Sequence, residues 1–195
     1  MNANTRRSVF SAVVLLWLLL FIAGRAAGQS ANYYYTSKGT ISFRSDASQE
    51  IISAESNNLQ GLISPDKKSF VFRVLIRTFS GFNSALQQEH FNEKYLESEK
   101  FPEAIFTGKI IEDIDLSTDG TYSIRAKGKL KIHGVEQERI IKAKIEVRNG
   151  ILHLLTQFSV LLADHSIKVP KVVHEKIASE INVTVQAELA IKAMR

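Results

Sequence analysis

Five histidines, with the acids beside them, are the residues of this chain that could do chemistry. Asp164 adjoins His165, and His174 follows in the same irregular stretch. A carboxylate and imidazoles can ligate a divalent cation, but neither H-x-H nor H-E-x-x-H spacing occurs. His133 stands at a turn beside Gly134, where hydrogen bonding within the turn is the expected role. His90 lies on or near the apolar stripe of a helical segment. His153 falls on the face opposite Leu152 and Leu154 and is expected in solvent. Glu97 and Glu99 read as a solvated helix end. Asn182-Val183-Thr184 has the form of a glycosylation sequon, but within a strand. There is no nucleophile elbow, no glycine-rich phosphate loop and no paired-carboxylate motif. With no cysteine, disulfides, thiolate metal sites and a thiol nucleophile are excluded. The expectation is therefore no catalytic residue, no metal and no cofactor.

The elements that position these residues alternate with period two. Leu130 and Ile132 point one way, and Lys129, Lys131 and His133 the other. A turn at His133–Glu136 follows. Ile141, Ala143, Ile145 and Val147 then oppose Lys142, Lys144 and Glu146, which completes a hairpin with one apolar and one charged face. Asn149-Gly150 is a strong hairpin signal. Alternation continues through Leu152–Leu162 and Ile181–Ile191. Earlier, Ile41 and Phe43 share a face, as do Phe70, Phe72, Val74 and Ile76. Glu50–Ser64 reads as one strand bent near Gly61, or as two. Tyr33-Tyr34-Tyr35 reads as a lead-in over one end of the fold. Strands resume at Ala104–Asp113, and Asp119-Gly120 marks a turn.

One stretch breaks the rule. From Asn83 to Phe101 the spacing is helical, with Ser84 as a cap and Leu86, Phe91, Tyr95 and Leu96 near one stripe. Phe101-Pro102 ends it. The pattern predicts an all-β, up-and-down antiparallel barrel of about eight strands, with one short helical segment near its mouth. An outer-membrane barrel would put its apolar face toward lipid. Here Arg125, Lys127, Lys129, Lys131, Lys142 and Lys144 occupy the other face, so the apolar face must be the inside. That inside mixes Phe70, Phe72, Phe106 and Phe158 with small Ala126, Gly128, Ala143 and Ala187, which should leave volume unfilled.

The chain has 195 residues, 45% of them hydrophobic, and a net charge of +5. Residues 1–28 read as a secretory signal peptide: Arg6 and Arg7, an apolar run from Val9 to Ile22, then Ala26-Ala27-Gly28. An uncleaved N-terminal anchor is the alternative. That segment holds three of the 25 basic residues and none of the 20 acidic ones, so 22 face 20 without it. Such a balance gives no support to a nucleic-acid partner. Residues 29–195 form the barrel domain, which does not span the membrane once the signal is removed.

Two motifs carry a resemblance. Gln88–Tyr95 followed by Phe101-Pro102-Glu103-Ala104-Ile105-Phe106 is similar to the helix-to-strand passage of the YceI family. Gly128-Lys129-Leu130-Lys131-Ile132-His133-Gly134-Val135 resembles that family's G-x-L-T-I-H-G-V hairpin, with Lys131 in place of the usual Thr. The usual Arg-Asp before the His is absent. The likeness runs over residues 38–191. It implies a lipocalin-like barrel of secreted or periplasmic bacterial proteins, some of which hold a long polyisoprenoid, such as a quinone tail, along the lumen.

The lumen is thus the candidate ligand site. Phe70, Phe72, Phe106, Ile124, Gly128, Leu130, Phe158 and Val185 are expected to line it, with Phe91 and Tyr95 on a lid at one mouth. The expected partner is an apolar, chain-like lipid, an isoprenoid or quinone tail. Two alternatives stay open: a filled barrel serving as a structural or interaction module, and an enzyme using His90 or His133 on a lumen-bound lipid.

Overall fold

A computed structural model describes residues 32–193, where the period-two pattern becomes eight strands. These are β1 (Asn32–Asp46), β2 (Ile51–Ser64), β3 (Ser69–Leu75), β4 (Glu103–Ile110), β5 (Gly120–Ile132), β6 (Val135–Arg148), β7 (Ile151–Leu161) and β8 (Glu180–Ala193). Each pairs antiparallel with its sequence neighbours, and β8 pairs with β1, so the sheet closes into an up-and-down barrel. The expected signal peptide, residues 1–28, lies outside the described residues. Among those described, no helix is long and apolar enough to cross a membrane.

Turn chemistry explains the winding. His133-Gly134 and Asn149-Gly150 have positive φ at both residues, 50° and 77°, then 51° and 74°. That is the two-residue hairpin whose twist matches its strands, and glycine adopts it without strain. Ile132 therefore pairs directly with Val135. The turn is two residues long, shorter than the His133–Glu136 turn expected, and β6 begins earlier.

One other expectation changes and one narrows. Tyr33-Tyr34-Tyr35 is no lead-in. It belongs to β1, paired to β8 at Lys192, Ile191 and Ala190. Tyr34 is buried, and its hydroxyl donates to the Leu116 carbonyl at 2.8 Å. Burial, then the charge of Asp115, pushes the Tyr34 phenol above its ordinary pKa. Tyr34→Phe removes the donor and leaves a carbonyl unpaired in the core, so we expect a loss of about 1–2 kcal/mol, read by urea denaturation. Secondly, Glu50–Ser64 yields one strand, with a register shift between Leu59 and Ser56, close to Gly61. The register shifts lie on either side of the Gly39–Leu59 pair. There the inward set changes from Tyr34 and Thr36 to Ile41, Phe43 and Ser45, the signature of a bulge.

One end of the barrel is solid. Ile145, Leu152 and Leu189 have no exposure, and Leu116 from the β4–β5 connection is 2% exposed among them. The charged face lies outside, with Lys127, Lys129, Lys131, Lys142 and Lys144 all exposed.

The segment between β3 and β4 crosses the other end. Ser84 caps α1 (Ala85–His90), its Oγ accepting from the Gln87 amide at 3.2 Å. A π-helical turn, Phe91–Tyr95, continues α1. Helix therefore stops at Tyr95, earlier than the Phe101-Pro102 stop expected. Phe91, Tyr95 and Leu96 turn inward as the stripe required, packing with Ile76 and Ile167. Leu86 does not: it is 57% exposed.

Candidate ligand-binding cavity

Eight inward faces cannot fill a barrel of this girth with the small residues present, and two cavities result. The larger, about 290 Å³, lies under the helical segment. Phe43, Phe82, Phe91, Tyr95, Leu130 and Phe158 are among its walls. The smaller, about 100 Å³, lies deeper, against Phe70, Phe106, Ile124, Ala126, Ala143 and Val185. Ile41, Val74, Ala104, Leu130 and Phe158 border both. The cavities are neighbours across this one ring of side chains. Together they run from the mouth toward the solid end.

The lid is held by aromatic packing. Phe91 stacks on Phe43 with centroids 5.4 Å apart and planes 13° from parallel. Phe82 and Phe79 tilt against Phe91 at 5.1 and 5.7 Å. Such pairs each contribute roughly 0.5–1.5 kcal/mol beyond burial. Deeper in, Phe70 meets Phe106 at 4.9 Å.

Polar groups gather at the rim. Glu50, Gln87, His90 and Lys176 all border the larger cavity. Gln87 Nε2 donates to Glu50 Oε1 at 2.6 Å. Burial raises the pKa of the Tyr95 phenol. Among the described residues, no group of three or more His, Cys, Asp or Glu is placed to hold a metal ion.

Of the expected site residues, Phe70, Phe72, Phe106, Ile124, Leu130, Phe158 and Val185 border the smaller cavity. Leu130 and Phe158 also border the larger, with Phe91 and Tyr95. Gly128 borders neither. A Cβ there would lie 2.2 Å from the Thr107 carbonyl oxygen and 3.0 Å from Gly108 Cα. The backbone of β4 fills the place where open lumen was expected. Of the other small residues, Ala126 and Ala143 do face open volume, whereas Ala187 packs over Gly39.

The sequence reading missed several walls. Ile41 and Phe43 were recognised as a face but not as lining. Phe79 and Phe82 lie in a stretch without periodicity. Ile167, Val173 and Ile177 come from the irregular connection after β7, where spaced apolar residues were the only signal.

The histidines take structural positions. His133 Nε2 meets Glu97 Oε2 at 2.5 Å, and its Nδ1 faces the His165 carbonyl at 3.1 Å. Phe101 packs edge-on against the ring at 4.6 Å. Glu97 is thus no solvated helix end: with φ of 44° it ties the lid to the β5–β6 turn. His153 is half-buried, its Nδ1 3.3 Å from Glu188 Oε1. His174 Nε2 lies 2.8 Å from the Val169 carbonyl.

His165 is fully buried. Its Nδ1 donates to the Val135 carbonyl at 3.1 Å. The Ile132 carbonyl bears on the ring, but Nε2 makes no hydrogen bond among the described residues. Burial holds its pKa below the ordinary imidazole value of 6.5, against the opposing pull of the Val135 carbonyl and Asp164. The folded protein therefore takes this proton less readily than the unfolded chain. Stability from this group is complete above pH 6.5 and falls as acid is added, down to the lowered folded pKa. We expect His165→Asn, which keeps the donor to Val135, to flatten the slope of stability against pH below 6.5, measured by denaturant titration at each pH.

No curated protein matches this chain. Solved structures share its fold at low identity. A polyisoprenoid binding domain from Saccharophagus degradans, described as implicated in plant cell wall breakdown, aligns with a TM-score of 0.70 at 12% identity, covering 84% of this chain and all of that one. Burkholderia cenocepacia BcnA aligns at 0.65 and 12%, covering 78% and 96%. A Campylobacter jejuni YCEI protein aligns at 0.54 and 15%, covering 72% and 83%. The YceI-like domain matches residues 34–189, β1 through most of β8. The closed eight-stranded barrel, its lidded cavity and that match across most of the sequence place the chain in the YceI-like domain family.

Proposed function

We propose that this protein binds and carries an apolar, chain-like lipid, an isoprenoid, in the barrel, without turning it over. The observation that carries the reading is the pair of adjoining apolar cavities, closed at one end and roofed by Phe91 at the other. The fold shared with a polyisoprenoid binding domain supports it. Of the five histidines only His90 borders either of these two barrel cavities, whereas His133 and His165 use ring nitrogens for structural bonds.

Magnitudes favour a long tail. Each buried CH2 contributes about 0.8 kcal/mol. Association costs roughly 4–15 kcal/mol. A five-carbon fragment, at about 4 kcal/mol, barely offsets the lower bound, whereas ten or more carbons exceed it. The test is a homologous series of fluorescent prenyl lipids. Affinity should tighten by up to about fourfold per added CH2 until both cavities are full, then level off. Affinity indifferent to chain length would contradict the reading.

We further propose that residues 1–28 direct secretion, so that the carrier works in the periplasm or outside the cell. The basic start, apolar run and small residues before Gln29 support this. The intact mass of protein recovered from outside the cytoplasm tests it: it should begin near Gln29, and a full-length mass would contradict it.

A further inference from the structure

We propose that the rim of the mouth docks on the surface of a bilayer containing anionic lipids, with residues 168–177 as the contact. This rests on the reading of the cavity as a lipid site. A long apolar tail crossing open water exposes every methylene, and a mouth seated on the bilayer avoids that.

The rim is one connected arc. The Gln49 amide donates to the Glu175 carbonyl at 2.8 Å, and the Ala178 amide to Ser45 Oγ at 2.9 Å. These bonds fix the 168–177 loop against the β1–β2 turn. The Glu50–Gln87 bond then joins that turn to α1. Val173, Lys176 and Ile177 of the loop border the larger cavity. Between Lys171 and Val173, Val172 is 88% exposed. Leu86 on α1 is 57% exposed. A lone exposed valine means little by itself. This one stands on the rim of an apolar cavity, with exposed Lys168, Lys171 and Lys176 within nine residues.

Charge settles which partner and which side. The only acid in the loop is Glu175, and its carboxylate accepts from Gln49 Nε2. His174 is tied to the Val169 carbonyl. Three lysines thus stand on the loop; in the adjoining β1–β2 turn Asp46 is paired with Arg44 and Glu50 with Gln87, while α1 and the π-helical turn after it carry exposed Glu89 and Glu93 against Lys94. The basic half meets anionic headgroups with Val172 inserted, and the acidic half stays toward water. Salt should weaken the contact, because exposed charges are screened within about 10 Å at 0.1 M.

The experiment is co-sedimentation of the purified protein with phosphatidylcholine vesicles, with and without phosphatidylglycerol. Binding should require phosphatidylglycerol and reverse with salt. Each lysine near such a surface contributes about fivefold, so K168E/K171E should lose at least about twentyfold. V172D should also weaken binding, whereas K142E, on the outer wall of β6, should change it little. Native mass spectra of the loop variants should show lipid content as in wild type, which separates failure of docking from failure of the cavity. Unchanged vesicle binding in the loop variants overturns the proposal. So does an equal loss in K142E. So does a wild type that ignores vesicles, including one whose rim pairs with a second copy as a dimer in light scattering.

Discussion

Gly128→Ala should lower stability by about 2–4 kcal/mol, although adding a methyl at a glycine in a strand ordinarily raises it by about 0.5–1 kcal/mol. The reversal comes from the contact between β4 and β5. Gly108 and Gly128 pair directly. A Cβ on Gly128 would lie 2.2 Å from the Thr107 carbonyl oxygen, and one on Gly108 would lie 2.1 Å from that of Lys127. Both obstacles are backbone in a closed sheet, so neither can rotate away. Strand separation would break ladder hydrogen bonds on both sides. For a domain of this size the loss corresponds to a fall in Tm of roughly 5–15 °C. Gly108→Ala should behave alike, and the double variant should cost less than the two losses added together, because both relax the same approach. A Gly128→Ala protein as stable as wild type would show that β4 and β5 do not meet this closely.

Ala104→Phe should do the opposite, sparing the fold and removing the ligand. Ala104 is one of the five residues bordering both cavities. A phenyl ring there projects into existing empty volume, so Tm should move by only a few degrees. The passage between the cavities would close. Binding of long prenyl chains should fall at least about tenfold, the equivalent of losing two CH2 groups or more. The chain length at which affinity levels off should shorten as well. Long-chain affinity equal to wild type would mean that the ligand does not pass the Ala104 ring.

Where alternation survived, the sequence was legible. β5 to β8 follow it for most of their length; tight turns at His133-Gly134 and Asn149-Gly150 preserve parity from β5 through β7, and β8 keeps its own period of two after the irregular connection. Leu130, Phe158 and Val185 thus fell on the correct face. Legibility ended where parity breaks or where contacts are remote. Three identical tyrosines conceal that Tyr34 turns in while Tyr33 and Tyr35 do not. The register shifts flanking the Gly39–Leu59 pair have no local marker beyond the glycine itself. Gly128 looks from the sequence like a gap in a wall, and only the position of β4 shows that backbone occupies it. The Glu97–His133 bond joins residues 36 apart and gives no sequence period. The loop after β7 supplies a cavity wall through Ile167 and Ile177, although it has neither helical nor strand spacing.

The central claim is that the barrel holds an apolar chain-like lipid between Phe91 and the solid end. A native mass spectrum of protein purified without detergent tests it most directly, with the extracted lipid identified by a second mass measurement. The account predicts a bound species that is retained in the folded protein, released on denaturation and rich in methyl-branched hydrocarbon. An apo mass throughout, in protein that also fails to take up added polyprenyl lipid, would contradict it.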